Sequence, residues 1–242
     1  MFAFREVAGR VEVAFTDRHG PSGTTLNLAL PGTVPAAAPG ASPQEGLAAV
    51  AAVFGPGNTV VGMRQVHGPA VAVIDAGYEG TPLEADALVT ARSDVSLLVR
   101  VADCVPVLLA DVDRGLVGAV HAGRLGLVAG VVPNAVGALR SLGAAEVHAW
   151  LGPHVCGACY EVPAPMREDI AAAIPETFAE TSWGTPALDL AGGVRAQLAA
   201  AGVEQGHVQV VGGCTLEDDA LWSHRRDGDR AGRLGALVRV LP

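Results

Sequence analysis

A mixed α/β fold is predicted for this chain of 242 residues, with a mixed sheet or stacked sheets flanked by helices. Many short apolar runs have the character of strands, whereas only about four segments show helical spacing. These strands and helices do not alternate regularly, which argues against a doubly wound parallel sheet. The length suits one large α/β domain, so we expect residues 1–242 to form a single domain.

The predicted strands are short runs rich in Val, Leu and Ala, and most are bounded by residues that favour turns. Hydrophobic residues make up 50% of the chain but aromatic residues only 4%, so the core is expected to consist of small branched side chains. The predicted strands cover residues 11–15, 59–62, 70–74, 86–90, 95–101, 105–110, 116–120, 147–151, 208–211 and 237–241.

Helices are predicted over residues 43–54, 125–142, 165–174 and 188–201. The first of them opens with Ser42, a suitable N-cap. In the second, apolar residues recur every three or four positions, which indicates one amphipathic helix directly after a strand. Residues 30–46 are rich in Pro, Ala and Gly and are predicted to form a surface loop.

Charge and hydropathy argue against two classes of partner. The net charge is −9 and the pI is near 5.2, which disfavours nucleic-acid binding, since that binding depends on clustered Lys and Arg. The mean hydropathy is +0.36, yet every apolar run is interrupted before the roughly 18 residues that a membrane span needs. No secretory signal is apparent, so a cytoplasmic location is expected. Neither a Rossmann fingerprint nor a P-loop indicates a nucleotide cofactor.

Three residues spread along the chain form a candidate transition-metal site, which we call the His–Cys–His triad: His67, Cys104 and His121. Each lies at or near the end of an apolar run, where a strand can hold a side chain rigidly and still accessible. Two imidazoles and one thiolate suit zinc, and three protein ligands leave a fourth position for water or substrate. The same residues also suit a hydrolase in which Cys104 is the nucleophile and a histidine is the base. Their spacing alone leaves both alternatives open.

The remaining cysteines are a Cys-x-x-Cys pair, Cys156 and Cys159, and the single Cys214. Such a pair can bind metal or cycle as a redox couple. A redox pair is expected at a helix N-terminus, whereas this pair precedes a segment that looks extended. A compact zinc site needs a second pair, and Cys214 is the one cysteine left for it. We therefore interpret these three cysteines as packing or loop residues.

A series of short motifs spans nearly the whole chain in the order found in one protein family. The motifs are Thr16-Asp17-Arg18-His19-Gly20, Leu26-Asn27-Leu28, Gln65-Val66-His67-Gly68, Ala85-Asp86-Ala87-Leu88-Val89-Thr90, Ala102-Asp103-Cys104-Val105-Pro106, Val120-His121-Ala122-Gly123, Leu151-Gly152-Pro153, Cys159-Tyr160-Glu161-Val162 and Arg225-Arg226-Asp227-Gly228. The chain thereby resembles the YfiH family, which is also described as multicopper polyphenol oxidoreductase (laccase-like), peptidoglycan editing factor and purine nucleoside phosphorylase.

The resemblance implies an α/β/β/α sandwich with a zinc site formed by His67, Cys104 and His121. It also implies phosphorolysis of adenosine, inosine and methylthioadenosine to the free base and ribose 1-phosphate, with adenosine deaminase as a side activity. Both reactions suit an open zinc site, because zinc is a Lewis acid that activates water near neutral pH. The expected partners are therefore a nucleoside and phosphate.

Phosphorolysis also needs a cation that places the phosphate, and Arg suits contact with its oxygens. Arg18, within the family's Thr-x-Arg-x-Gly segment, is the predicted substrate-binding residue, with Asn27 as a nearby polar partner. Arg225 and Arg226 are the alternative cations.

The chain departs from the family next to the triad, and the family names leave other functions open. Arg124-Leu125-Gly126 follows His121-Ala122-Gly123, where many members carry Trp-Arg-Gly, so pocket shape and substrate preference can differ. One alternative is a hydrolase or peptidoglycan-editing amidase centred on Cys104, and another is a non-enzymatic metal-binding regulatory module. Copper-dependent polyphenol oxidation is a further alternative. It is less favoured, because several copper ions need many imidazoles and the chain has 7 His.

Overall fold

Two sheets flanked by helices form the centre of the fold in the computed structural model, which describes residues 1–30, 42–81 and 83–242. The strands are β1 (Phe2–Ala8), β2 (Val11–Thr16), β3 (Thr59–Val61), β4 (Val71–Val73), β5 (Ala87–Thr90), β6 (Val95–Val101), β7 (Val105–Asp111), β8 (Leu116–Ala122), β9 (His148–Leu151), β10 (Phe178–Glu180), β11 (Pro186–Leu188), β12 (Val208–Val210) and β13 (Leu234–Val240). The α-helices are α1 (Pro43–Phe54), α2 (Arg124–Val128), α3 (Val131–Ser141), α4 (Ala164–Ala173), α5 (Leu190–Ala200) and α6 (His224–Asp227).

Both sheets contain parallel and antiparallel neighbours. The first sheet has five strands in the order β1-β2-β13-β6-β3, and the second has six in the order β12-β9-β7-β8-β5-β4. Parallel pairing joins β3 to β6, β4 to β5 and β9 to β12, whereas the other neighbours run antiparallel. Strands β10 and β11 form a separate antiparallel pair. The mixed sheets confirm the predicted fold class, whereas the extent of one domain over residues 1–242 stays a prediction.

Successive side chains of a strand point to opposite faces of its sheet, and this alternation divides the core into layers. In β13, Val238 shares a buried cluster with Leu108 of the second sheet, whereas Leu237, on the opposite face, packs with Phe54 of α1. On the outer face of the second sheet, α3 and α5 cover β7 and β8 in a further buried cluster that includes Leu139. The layers therefore follow the order helix, sheet, sheet, helix, as the family resemblance implies.

Helix α1 begins at its predicted N-cap. The hydroxyl of Ser42 accepts a hydrogen bond from the backbone N–H of Glu45, and the Glu45 carboxylate accepts one from the backbone N–H of Ser42. This capping box satisfies two backbone groups and fixes the start of the helix. The predicted loop over 30–46 therefore ends before Pro43, and its residues 31–41 lie outside the described residues. Within the described ranges, none of the helices combines the length and the hydropathy that a bilayer crossing needs.

The single helix predicted over residues 125–142 is wrong. Gly130 has a φ of 84°, in the left-handed region, and it separates α2 from α3. The apolar spacing continues across this break because both helices contribute to the same buried cluster, through residues such as Leu127 and Val132. Strands β1, β10 and β11 were not predicted. Only alternate residues of β1 are partly buried at the sheet edge, and the other two strands have three residues each.

The carboxylate of Asp111, at the end of β7, holds the adjoining turn and the segment before β9. Its side chain is 1% exposed, and it accepts hydrogen bonds from the backbone N–H groups of Arg114, Ala145 and Glu146. Burial acts to raise the pKa of Asp111, but these hydrogen bonds outweigh burial and hold the pKa below its usual value. The folded state therefore favours the ionised carboxylate.

Asp111→Asn should lower the free energy of unfolding by about 2–3 kcal/mol near neutral pH. A carboxylate whose pKa is lower in the folded state stabilises the protein above its unfolded pKa, and this contribution is lost as the pH falls through the folded pKa. The difference in stability between wild type and D111N should therefore shrink below about pH 4. Urea denaturation at neutral and at acidic pH measures both values. An equal difference at the two pH values would show that the carboxylate charge is not what stabilises this turn.

Candidate metal centre and substrate cavity

The structure brings the side chains of the His–Cys–His triad together. His121 lies in β8, Cys104 in the connection from β6 to β7, and His67 in the loop after β3. The Nε2 atom of His67 is 4.0 Å from Sγ of Cys104, and the centroids of the two imidazole rings are 4.7 Å apart. One ligand atom from each residue lies within 4.8 Å of the others. The predicted site residues are therefore neighbours in the fold, and their role as metal ligands stays a prediction.

A completely buried carboxylate, Asp86, positions both histidines. Its Oδ1 atom is 2.8 Å from Nδ1 of His121, and the carboxylate also accepts hydrogen bonds from the backbone N–H groups of Val66, His67 and Gly68. Burial acts to raise the pKa of Asp86, but the hydrogen bonds from His121 and from the backbone outweigh burial and lower it. The ionised carboxylate therefore accepts the Nδ1 proton, so the ring presents Nε2 to the triad. It also supports His67, whose φ of 59° is in the left-handed region.

Cys104 and His121 stabilise each other's charged forms. Burial acts to raise the pKa of Cys104, but the imidazoles of His121 and His67 outweigh burial and lower that pKa to about 6. Burial acts to lower the pKa of His121, but Cys104 and Asp86 outweigh burial and raise that pKa to about 9. At neutral pH the Cys104 sulfur is therefore a thiolate, which is the form that ligates metal or acts as a nucleophile.

Gly123 leaves a narrow space between the three side chains. An added Cβ would lie 2.7 Å from Cδ2 of His67, 3.1 Å from Sγ of Cys104 and 3.4 Å from Cε1 of His121. The backbone of Gly123, with φ −79° and ψ 165°, is open to any residue, so space and not conformation requires glycine. Two imidazoles and a thiolate around this space fit a zinc ion with one open coordination position.

Asp103 holds the backbone that precedes Cys104. Its φ of 86° lies in the left-handed region, and its side chain fixes this conformation from both oxygens. Oδ1 accepts a hydrogen bond from the hydroxyl of Thr215 at 2.6 Å, and Oδ2 accepts one from the backbone N–H of Arg225 at 2.8 Å. The Asp103 carbonyl also accepts a hydrogen bond from the backbone N–H of Val155. Three other segments of the chain therefore determine where the Cys104 thiol lies.

The triad lies in the wall of a cavity of about 520 Å³, a volume typical of small-molecule sites. Although the chain is acidic overall, the described lining carries four arginines and Asp103 as its one acidic residue. The four are Arg64, Arg100, Arg225 and Arg233. Burial lowers the pKa of Arg100 to about 10, so the guanidinium stays charged at neutral pH. The cavity therefore favours an anionic ligand.

Two of these arginines lie against groups already described. Burial lowers the pKa of Arg233, while the negative charges of Cys104 and Asp103 act in the opposite direction, as expected for a guanidinium close to the thiolate. Arg225 lies over the ring of Tyr160, with its guanidinium carbon 4.7 Å from the ring centroid. The cavity thus combines cations near the triad with an aromatic side chain in its wall.

A family model described as multi-copper polyphenol oxidoreductase laccase matches residues 14–241. The chain belongs to this family, the YfiH family. The crystal structure of YlmD from Geobacillus stearothermophilus is similar to this YfiH-family chain, with a TM-score of 0.82 and 28% identity over 96% of this chain and 93% of YlmD. The crystal structure of Neisseria meningitidis protein NMB0706 has a TM-score of 0.81 and 28% identity over 98% of this chain and 99% of that one.

Relatives of this YfiH-family chain carry a common name. A Streptomyces griseus protein named purine nucleoside phosphorylase ORF3 is 50% identical over 242 residues, which cover 96% of this chain and 95% of that protein. A Deinococcus radiodurans protein named purine nucleoside phosphorylase is 41% identical over 178 residues, which cover 73% of this chain and 68% of that protein. The similarity therefore extends over most of both chains.

Neither of the predicted substrate-binding residues of this YfiH-family chain, Arg18 and Asn27, is among the described residues that line the cavity. The guanidinium carbon of Arg18 is 4.7 Å from the ring centroid of Trp222. Asn27 is completely buried, and its Oδ1 accepts hydrogen bonds from the backbone N–H groups of Ala29 and Arg233. Asn27 thus positions the backbone of an arginine that does line the cavity. The binding roles of Arg18 and Asn27 stay predictions.

Three residues that shape the site were not predicted as parts of it: Asp86, Gly123 and Arg233. Asp86 and Gly123 lie inside motifs of the YfiH family. Asp86 also directly precedes the buried strand β5, and an acidic residue at such a position could have indicated a role in the site. Arg233 lies outside those motifs and reaches the cavity through the position of β13 in the first sheet.

Proposed function

We propose that this chain is a cytoplasmic, zinc-dependent purine nucleoside phosphorylase. It converts adenosine, inosine and methylthioadenosine to the free base and ribose 1-phosphate, with adenosine deaminase as a side activity. The observation that carries the proposal is the position of the His–Cys–His triad in the wall of an arginine-lined cavity. The name of the Streptomyces griseus relative, at 50% identity, supports the substrate class.

Phosphorolysis transfers a ribosyl group from nitrogen to oxygen. An oxygen of phosphate forms a bond to C1′ of the ribose while the bond from C1′ to the purine nitrogen breaks. The electron pair of the broken bond leaves with the base, which takes up one proton. The cavity must therefore hold an anion, orient the sugar and contact the departing base.

Residues of the cavity divide these tasks. His67, Cys104 and His121 would hold the zinc ion, which when bound supplies a Lewis acid for an anionic oxygen. The ionised Asp86 carboxylate accepts a hydrogen bond from the Nδ1–H of His121 and thereby fixes the orientation of the imidazole ring. Tyr160 lines the cavity and offers an aromatic side chain for contact with the purine.

Arg233 and Arg100 are the cations that we assign to the phosphate. Both are half-buried and line the cavity, and burial lowers the pKa of each. The Nε atom of Arg100 donates a hydrogen bond to the carbonyl of Leu28, which holds this side chain in the cavity wall. An anion in the cavity compensates poorly solvated charges of this kind and forms charge-assisted hydrogen bonds with them.

Arg233→Met should raise the KM for phosphate by roughly 10- to 100-fold and change the KM for inosine much less, because a hydrogen bond to a charged group contributes about 1.5–3 kcal/mol. Initial rates at varied phosphate and fixed inosine measure the effect. Arg18→Met tests the rival cation that the motif predicts. If R18M raises the phosphate KM and R233M does not, the assignment of Arg233 is wrong.

The direct test of the activity uses purified, zinc-loaded protein with inosine or adenosine, in the presence and in the absence of phosphate. Chromatography should detect hypoxanthine or adenine together with ribose 1-phosphate, formed only when phosphate is present. Conversion of adenosine to inosine reports the side activity. If zinc-loaded protein forms neither base nor inosine, the proposal fails, and base formed equally without phosphate would indicate hydrolysis.

A cysteine hydrolase is the second candidate, and the 4.0 Å separation between Sγ of Cys104 and Nε2 of His67 favours it. Such an enzyme, the peptidoglycan-editing amidase included, forms a covalent thiol adduct and keeps its activity after chelation. The proposed phosphorylase loses activity on chelation and regains it with zinc. Bound zinc without turnover of any nucleoside would instead favour a regulatory module, and several copper ions per chain would favour phenol oxidation.

A further inference from the structure

A second group of metal-ligating side chains lies apart from the triad. Cys156, Cys159, Cys214 and Glu217, which we call the cysteine cluster, each offer one ligand atom, and these atoms all lie within 4.8 Å of one another. None of the four is among the described residues that line the triad's cavity. A compact zinc site needs a second pair of ligands besides Cys156 and Cys159. In the fold, Cys214 and Glu217 form that second pair.

Two turns of the same form present these four side chains. The carbonyl of Cys156 accepts hydrogen bonds from the backbone N–H groups three and four residues later, and the carbonyl of Cys214 accepts the same two bonds in its own turn. The first and fourth residues of the turns thus read Cys-x-x-Cys and Cys-x-x-Glu. A parallel bridge pairs His154 with Cys214, and the backbone N–H of Cys156 donates to Sγ of Cys214 at 3.3 Å. These contacts hold the two turns against each other.

We propose that the cysteine cluster binds a zinc ion with a structural role, separate from the ion of the His–Cys–His triad. Three thiolates and one carboxylate supply four protein ligands, which complete a tetrahedral coordination sphere and leave no position for substrate. The short spacing within each turn is typical of compact structural zinc sites.

A redox role fits the Cys-x-x-Cys pair less well. The pair lies in a turn, and the next α-helix begins only at Ala164. The Sγ atom of Cys159 is also 3.3 Å from Oε1 of Glu217, so the pair faces a carboxylate as well as a third thiol.

The cysteine cluster joins two of the segments that hold Asp103. The residue before Cys156 donates its backbone N–H to the Asp103 carbonyl, and the residue after Cys214 donates its hydroxyl to the Asp103 carboxylate. A metal ion in the cluster would fix both segments and, through Asp103, the wall that carries Cys104. Its effect on the cavity is therefore one of positioning, without contact with substrate.

Elemental analysis of protein purified without added metal tests the site. Wild type should carry about two zinc ions per chain, and the double variant Cys156→Ser/Cys214→Ser about one. Cys104→Ser/His121→Ala removes two ligands of the triad and should also retain about one, whether or not the proposed enzymatic activity exists. In that variant, cobalt in place of zinc should give the charge-transfer absorption of thiolate ligands. His148→Ala, in a separate group with Glu146 and His207, is the control and should keep both ions.

Further measurements cover the case in which the double variant misfolds. In wild type, alkylation of Cys156, Cys159 and Cys214 should become faster after chelation, and denatured protein should show all four thiols without reductant. Chelation should also lower the Tm of C104S/H121A by on the order of 10 °C. A disulfide within the cluster, C104S/H121A without zinc, or loss of an ion in H148A would each overturn the proposal, whereas a single wild-type zinc ion that C104S/H121A retains would count against the triad.

Discussion

Gly123→Ala should abolish zinc binding at the His–Cys–His triad and lower kcat/KM for inosine by at least about 100-fold, with the fold intact. The added methyl carbon would lie 2.7 Å from Cδ2 of His67 and 3.1 Å from Sγ of Cys104, which forces these ligands apart. Alanine accepts the backbone conformation at this position, so α2 can still begin there. Zinc content and initial rates with inosine and phosphate measure the two effects.

Gly137→Ala is the matched control for this change. Gly137 lies inside α3, where an added Cβ would meet no atom of the described residues within 4 Å. The change should leave zinc content and activity at the wild-type level and raise the free energy of unfolding by about 0.5–1 kcal/mol. Normal zinc content and activity in G123A would show that the space between the ligands is not required.

Asp86→Asn should weaken zinc binding at the triad by about 10- to 100-fold. An amide has one oxygen, so it cannot replace both carboxylate oxygens that accept from His121 and from the three backbone N–H groups of the His67 loop. The His121 ring then loses its fixed orientation, and His67 loses support for its left-handed backbone. The free energy of unfolding should also fall, by about 2–4 kcal/mol, because the buried Nδ1–H of His121 and the partly buried backbone N–H groups of the His67 loop lose a charged acceptor. Competition with a zinc chelator and urea denaturation measure the two quantities.

Asp111→Asn is the control that shows whether the weaker zinc binding of D86N is only a consequence of its lower stability. Asp111 is also a buried carboxylate that accepts three backbone hydrogen bonds, but it lies at the end of β7 opposite to Cys104. D111N should therefore lower the stability by a similar amount and leave zinc affinity unchanged. Equal zinc affinities in D86N and D111N would mean that Asp86 stabilises the fold without positioning the metal ligands.

Strand patterns predicted mixed or stacked sheets flanked by helices, because these follow from local periodicity, whereas the order of the layers and the zinc role of the triad were implied by the motifs of the YfiH family. Cys104 directly precedes β7 and His121 lies near the end of β8, so the antiparallel pairing of these strands brings the two side chains together, whereas His67 comes from the loop between β3 and β4. The break at Gly130 could not be predicted from spacing, since the apolar pattern continues unchanged from α2 into α3. Periodicity reports which face is buried and not whether the helix is continuous.

Residues that only the tertiary structure brings to the cavity and to the cysteine cluster were not predicted from the sequence. Arg233 reaches the cavity because β13 pairs with β6, although the two strands are far apart along the chain. Glu217 is exposed and lies in a turn, so no periodic pattern marks it, and its relation to Cys159 appears only when the two turns meet. The family motif therefore favoured Arg18 for the phosphate, and the spacing of the cysteines favoured a packing role for them.

An anomalous difference map at the zinc absorption edge tests the central claim most directly, because it locates the metal independently of any assay. Crystals of zinc-loaded protein should show a peak within about 2.0–2.3 Å of a His67 nitrogen, Sγ of Cys104 and Nε2 of His121. The cysteine cluster should give a second, separate peak. A map without a peak at the triad, in crystals where all three side chains are ordered, would contradict the assignment of these residues as the zinc site.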